Sequence, residues 1–172
     1  MNPAAIMGDR AESKSTRKSV TSIRPTAGKP TVLIATIDPE IRAALAELLE
    51  GAAIDAIWVN GVKEFKTVVA RERVAACLCG FWLQDGTYRE VIRHLRRERL
   101  DIPAIIISAP ACPQEFRDYL AAMNLGTLDF LSYPYRQADL TQMLESALAA
   151  QSKLKSELAS DMAGMMAERG AA

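Results

Sequence analysis

Apolar and polar positions fall in blocks along the chain. Thr31-Val32-Leu33-Ile34-Ala35-Thr36 is a near-unbroken apolar run, as a strand buried on both faces requires. Asp38-Pro39 follows, with Glu40 behind it. Asp at the N-cap and Pro at the first helical position predict a helix start. Ile41, Leu45, Leu48 and Leu49 keep one face through Glu50, and Gly51 ends the helix. Ile54–Val59 predicts a second strand, and Val62, Phe65 and Val69 a helix over 62–72. Ala75–Gly80 is the third apolar run. A loop turning on Asp85-Gly86 follows, then a helix with Tyr88, Val91, Ile92 and Leu95 on one face. Ile102–Ser108 predicts a fourth strand. Pro113 opens a helix carrying Phe116, Leu120 and Met123, closed near Asn124-Leu125-Gly126. Leu128–Leu131 is a fifth strand, Ser132-Tyr133-Pro134-Tyr135 a loop, and Leu140, Met143, Leu144, Ala147 and Leu148 a fifth helix. Five strand–helix pairs in strict alternation predict one α/β domain built on a parallel sheet.

The apolar spacing runs on past residue 150. Leu144, Ala147, Gln151, Leu154, Leu158, Met162 and Met165 recur at three and four. Such a seam can pair with another helix; with a Gln and several Ala in it, it also reads as a terminal helix that frays. Residues 1–29 have no apolar periodicity. Arg10, Lys14, Arg17, Lys18, Arg24 and Lys29 outnumber Asp9 and Glu12 there, which reads as a disordered basic tail. No aromatic residue in it could stack on a base, so a solvated linker is favoured over a nucleic-acid arm. The chain thus divides into a tail (1–29), a domain (30–150) and a helical extension (151–172).

Composition adds limits. The 172 residues carry 21 Lys and Arg against 21 Asp and Glu, so overall charge points to no polyanionic partner. Met1–Arg10 holds no signal-peptide core, and no apolar run approaches the roughly 20 residues of a membrane span. A cytoplasmic protein is expected. Cys77 and Cys79 sit two apart on one strand, poor geometry for a mutual disulfide. With Cys112 they read as reduced structural thiols. His94 is the sole histidine. It stands in Arg93-His94-Leu95-Arg96-Arg97, a basic turn that complements a helix dipole, and reads as a surface residue. One His and scattered Cys make no zinc spacing.

Residues 31–150 resemble the receiver domain of two-component response regulators. The resemblance rests on Val32–Ile41, Leu83–Gly86, Ile102–Ala109, Asn124–Phe130 and the Pro134 loop, in register with five βα units. It implies a flavodoxin-like, doubly wound five-stranded sheet of order 2-1-3-4-5. It also implies a site: an acidic pair ending strand one that holds Mg²⁺, an Asp ending strand three that accepts a phosphoryl group, a Ser or Thr ending strand four, and a Lys before a cis-Pro after strand five. The Asp is a nucleophile, the ion neutralises phosphoryl charge, and Lys and hydroxyl hold the remaining oxygens.

The chain departs from that pattern at nearly every position. The acidic pair falls on Thr36 and Ile37, the acceptor on Gly80 and the Lys on Tyr133; only Ser108 matches. Asp38 stands one position late and is explained as a helix cap, and Asp85 belongs to the turn. With no carboxylate there is neither nucleophile nor Mg²⁺ ligand, so no metal, cofactor or catalytic residue is expected. Ser108 and Phe130 occupy the family's switch positions, with Tyr133 and Pro134 beside them. The plainer reading is that Ser108 bonds locally and Phe130 is core. Tyr133 is expected to fill the space of the phosphoryl site, its hydroxyl finding a partner. The resulting expectation is a stand-alone degenerate receiver, not an enzyme. It would be an interaction module for a signalling protein, or self-associate, through the 108–150 face and the C-terminal helix. The rivals are a phosphorelay receiver with an unusual acceptor such as Ser108, and a small flavodoxin-like ligand-binding protein. The segment Thr36-Ile37-Asp38-Pro39-Glu40 lacks the Gly-rich loop that phosphate cradling needs. Too few residues follow 150 for a helix-turn-helix domain.

Overall fold

The computed structural model describes residues 28–108, 121–125 and 127–169. Its elements are β1 (Thr31–Ala35), α1 (Pro39–Leu49), β2 (Asp55–Val59), α2 (Val62–Val69), β3 (Ala76–Gly80), β4 (Trp82–Leu83), β5 (Gly86–Thr87), α3 (Tyr88–Arg97), β6 (Ala104–Ile107), the helical residues 121–124 (α4), β7 (Asp129–Leu131) and α5 (Gln137–Arg169). Five strands form one sheet in the order β2-β1-β3-β6-β7, every pairing parallel. The parallel sheet is the one expected from the alternation, and its strand order is the doubly wound one that the resemblance implies.

Each apolar run forms a strand because both of its faces are covered. Side chains alternate across a strand with a period of two, and the two halves of each run enter different cores. Leu33, Ala35, Cys77, Cys79 and Ile106 pack with Phe65, Val91, Ile92 and Leu95 of α2 and α3. Val32, Ile34, Leu78, Ile105 and Ile107 pack on the other face with Ile41 and Leu45 of α1 and Leu140, Leu144 and Ala147 of α5. The two described cysteines are buried free thiols. Burial pushes Cys77 up to about 12, and burial with Cys77 beside it pushes Cys79 well above its usual range. They are packing residues, as expected.

Asp38 begins α1 as the sequence predicts. Its Oδ1 accepts from the amides of Glu40 at 2.8 Å and Ile41 at 3.3 Å. Gly51, past the end of α1, has φ +78°, a conformation that strains any side-chain-bearing residue. Two expectations need correction. The helix over 62–72 stops at Val69. The segment after Gly80 is not a plain loop: Trp82–Leu83 pairs with Gly86–Thr87 as an antiparallel hairpin. Its turn is pinned from outside, since the Gln84 amide donates to the Asn60 carbonyl at 2.9 Å. The predicted start of the fourth helix at Pro113, with Phe116 and Leu120, lies outside the described residues, as do Cys112 and residues 1–27 of the tail. α5 runs 33 residues without a break, so the helix does continue past residue 150. No helix among the described residues is long and apolar enough to cross a membrane.

Candidate functional site

In open parallel sheets of this kind, sites form outside the carboxyl ends of the strands. There, Thr36, Ile37, Asp38, Gly80, Phe81 and Trp82 help to line a cavity of about 510 Å³. Thr36 is buried. Its amide donates to the Val59 carbonyl at 3.0 Å, and its Oγ1 accepts the Asp38 amide at 3.2 Å. Arg42 donates to the Thr36 carbonyl at 3.2 Å and to Asn60 Oδ1 at 2.8 Å, with its guanidinium 5.1 Å over the Trp58 ring. Ile37 is 48% exposed. Gly80 ends β3 opposite Ile107. A Cβ placed on it would stand 3.3 Å from Thr36 Oγ1 and 3.6 Å from the Ala35 carbonyl, so the strand ends are closely apposed where the resemblance puts a nucleophile.

Ser108 is fully buried at the end of β6. Its Oγ accepts the Tyr133 amide at 2.8 Å, and its own amide donates to the Leu131 carbonyl at 3.0 Å. The Tyr133–Pro134 peptide is cis, as the resemblance implies. Phe130 is buried and sits 5.8 Å from Phe81, whose ring meets Tyr88 edge-on at 5.2 Å. Phe130 thus stands in the core, as the plainer reading puts it, while the bond of the Ser108 hydroxyl is not local but joins it to the loop after β7, 25 positions on.

Tyr133 is where the sequence expectation fails. It is 47% exposed, packs edge-on against Tyr135 at 5.5 Å, and is absent from the lining of the Thr36–Gly80 cavity. Tyr135 turns inward instead, its hydroxyl donating to the Ser108 carbonyl. His94 also departs from expectation: its side chain is only 13% exposed and its Nδ1 is buried without a hydrogen-bond partner among the described residues. Burial first, then the charges of Lys66 and Arg97, hold its pKa below the ordinary histidine value, with Glu98 pulling the other way.

Two residues to which sequence reasoning gave no part beyond the loop and its turn shape this end of the molecule. Trp82 is 72% exposed at the cavity rim. Asp85 reaches across to α2, its Oδ1 accepting the Val62 amide at 2.5 Å and its Oδ2 the Lys63 amide at 3.1 Å. The α2 N-cap is Gly61, which makes no side-chain bond. A helix opened by a residue without a side chain is the signal that could have prompted a search for a remote cap.

The resemblance implies Mg²⁺, and the side chains present do not fit it. An octahedral Mg²⁺ is held through one or two carboxylates beside its waters. At the positions the resemblance gives, Thr36 offers a neutral hydroxyl already accepting the Asp38 amide, Ile37 offers no ligand and Gly80 has no side chain. The expectation of a site without carboxylates needs correction, since Asp38 and Glu40 line the cavity; both belong to the start of α1, where Asp38 Oδ1 is taken by two amides of its own helix. Among the described residues, no group of three or more His, Cys, Asp and Glu could hold a metal ion.

No family model matches the chain. It is 27% identical over 116 residues to the response regulator protein PilR of Pseudomonas aeruginosa, covering 67% of this chain and 25% of that protein. It is 23% identical over 138 residues to the phosphate regulon transcriptional regulatory protein PhoB of the same organism, covering 79% and 59%. The chain therefore spans less than two thirds of either curated relative. Among solved structures, a sensor protein from Polaromonas sp. JS666 superposes with a TM-score of 0.61 at 27% identity, over 71% of this chain and 98% of that one. The parallel sheet, its strand order and these likenesses together identify the domain as receiver-like, of the kind found in response regulators.

Proposed function

We propose that this receiver-like domain works without aspartyl phosphorylation, as a protein-docking module in two-component-type signalling in the cytoplasm, and catalyses no reaction of its own. The observation that carries the reading is Gly80: the acceptor position has no side chain, and Thr36 Oγ1 stands 3.3 Å from where a Cβ would lie. Ser108 is a poor substitute acceptor, being fully buried with its Oγ already accepting the Tyr133 amide. The names of the two curated relatives support the signalling context. The face from Ser108 through α5 is the proposed docking surface, and Leu128 and Tyr133 are exposed on it. The test is affinity capture from a lysate of the source cells with the full chain, with and without acetyl phosphate and Mg²⁺. The same partner should be captured equally in both. Capture that depends on acetyl phosphate, together with a mass gain on the chain, overturns the reading in favour of a phosphorelay receiver.

The cavity of about 510 Å³ at the strand ends favours one second reading, a small-ligand-binding protein. Flavin absorbance in the purified protein would support it.

A further inference from the structure

A second concavity lies away from the strand ends, between α2 and α3. It measures about 280 Å³ and is lined by Lys66, Glu90, Arg93, His94 and Arg97. Arg93 and Arg97 are four apart on α3 and so share one face, while Lys66 comes from α2. These three cations outnumber the one carboxylate in the lining. Glu90 is that carboxylate: its Oε2 accepts the Thr87 hydroxyl and the Thr87 amide, the latter at 2.7 Å, and these bonds first, with the Arg93 charge adding to them, hold its carboxyl below the ordinary range. Glu98 contacts Arg97 at 3.0 Å, an exposed pair of little worth. Among the described residues, Lys66 and Arg93 have no ion pair. Like charges at this spacing repel one another, so the groove holds an unbalanced positive field. His94 lines it as well; its Nδ1 is buried without a hydrogen-bond partner among the described residues and stands 4.0 Å from Glu98 Oε1.

We propose that the groove between α2 and α3 is a phosphate-binding site in which Lys66, Arg93 and Arg97 hold the dianion beside His94. Two guanidinium forks and an ammonium suit a group with several acceptor oxygens. The space fits a single such group, and among the described residues no Phe, Tyr or Trp lines it to stack on a base. The free ion and a phosphate monoester share this chemistry. The site is remote from Thr36 and Gly80 and does not depend on the docking role proposed above.

His94 reports on its own site, since the chain has no other histidine. A bound anion would favour its charged form, against Lys66, Arg97 and burial. Its imidazole resonances are titrated by NMR in the full chain with rising inorganic phosphate, against sodium chloride at matched ionic strength. O-phosphoserine serves as the ester probe in a parallel series. The expected result is a saturable upward shift of the His94 titration with phosphate or with the ester, beyond that with chloride. Arg93→Ala and Lys66→Ala should each weaken it by roughly tenfold or more, with unchanged circular dichroism. The stronger of the two probes identifies the source. Equal shifts in phosphate and chloride would mean general screening and overturn the site, as would a phosphate response that survives both substitutions.

Discussion

Asp85 supplies what Gly61 lacks. It caps α2 from 23 positions away in sequence, and the approach is so close that a Cβ on Gly61 would meet Asp85 Oδ1 at 2.6 Å. Desolvation works against its charge, but the amides of Val62 and Lys63 and the Lys63 ammonium outweigh it and lower its pKa. A carboxyl lowered in the folded state contributes stability that is complete above its unfolded value of about 3.9, and loses it as pH falls through the folded value. Asp85→Asn keeps an acceptor oxygen and removes the charge. It should lower Tm by a few degrees at neutral pH, and the gap to wild type should close below about pH 3.9. A gap that stays constant down to acid pH would show that the charge contributes nothing. Ser108, at the end of β6, likewise supplies an acceptor to a distant segment. Ser108→Ala leaves the Tyr133 amide without its acceptor, at a cost of about 1–3 kcal/mol, readable in urea denaturation. Neither role was legible in the sequence. Asp85-Gly86 announces a turn, and nothing local says that its carboxylate reaches another helix. Likewise Tyr133 and Tyr135 flank one proline, and only the packed loop decides that Tyr135 turns toward Ser108.

At the level of elements, the runs buried on both faces were the readable ones. Their apolar character is continuous because two cores draw on alternate residues of the same strand, and Asp38-Pro39 marked the start of α1 to the residue. The β4–β5 hairpin was not readable, because strands of two residues have no period. It is held by contacts with Asn60, Val62 and Lys63. α5 divides into two lengths by its packing. Its first part is core: Leu140 and Ala147 are fully buried and Leu144 nearly so. Leu140→Ala should therefore cost about 2–5 kcal/mol. Gln151 is the last residue with a described bond into the domain, donating to the Val74 carbonyl at 3.0 Å. Beyond it the sequence keeps its three-and-four apolar spacing through Met165. Truncation after Ala150 should leave a cooperatively folding domain while lowering the apparent mass in light scattering or abolishing partner capture. Monomers of equal binding strength before and after truncation would remove the extension from the interaction surface.

For the molecule as a whole, the sheet order is that of a receiver-like scaffold, while Thr36, Ile37, Gly80 and Tyr133 are not the carboxylates and Lys that the resemblance puts at those positions. If the scaffold is sound and only the reacting groups are missing, chemistry should return as a set and not singly. Gly80→Asp alone places a carboxylate against Thr36 Oγ1, within a gap that already brings a Cβ to 3.3 Å. It adds a nucleophile without a metal site or a cation, and acetyl phosphate with Mg²⁺ should leave its mass unchanged. Adding Thr36→Asp puts a second carboxylate beside the first, in a position that is almost fully buried. Two close carboxylates repel, so this pair should destabilise the domain in chelator, and Mg²⁺ should raise Tm because it binds the folded state alone. Tyr133→Lys then supplies the fixed positive charge; Tyr133 is exposed and lies outside the cavity lining, so the change should be tolerated. The triple variant is expected to show Mg²⁺-dependent amide shifts with beryllofluoride at the ends of β1, β3 and β6, and the wild type and Gly80→Asp none. Phosphorylation of the wild type, or of Gly80→Asp alone, would mean that this edge of the sheet holds a metal and a phosphoryl group by residues other than those at the family's positions.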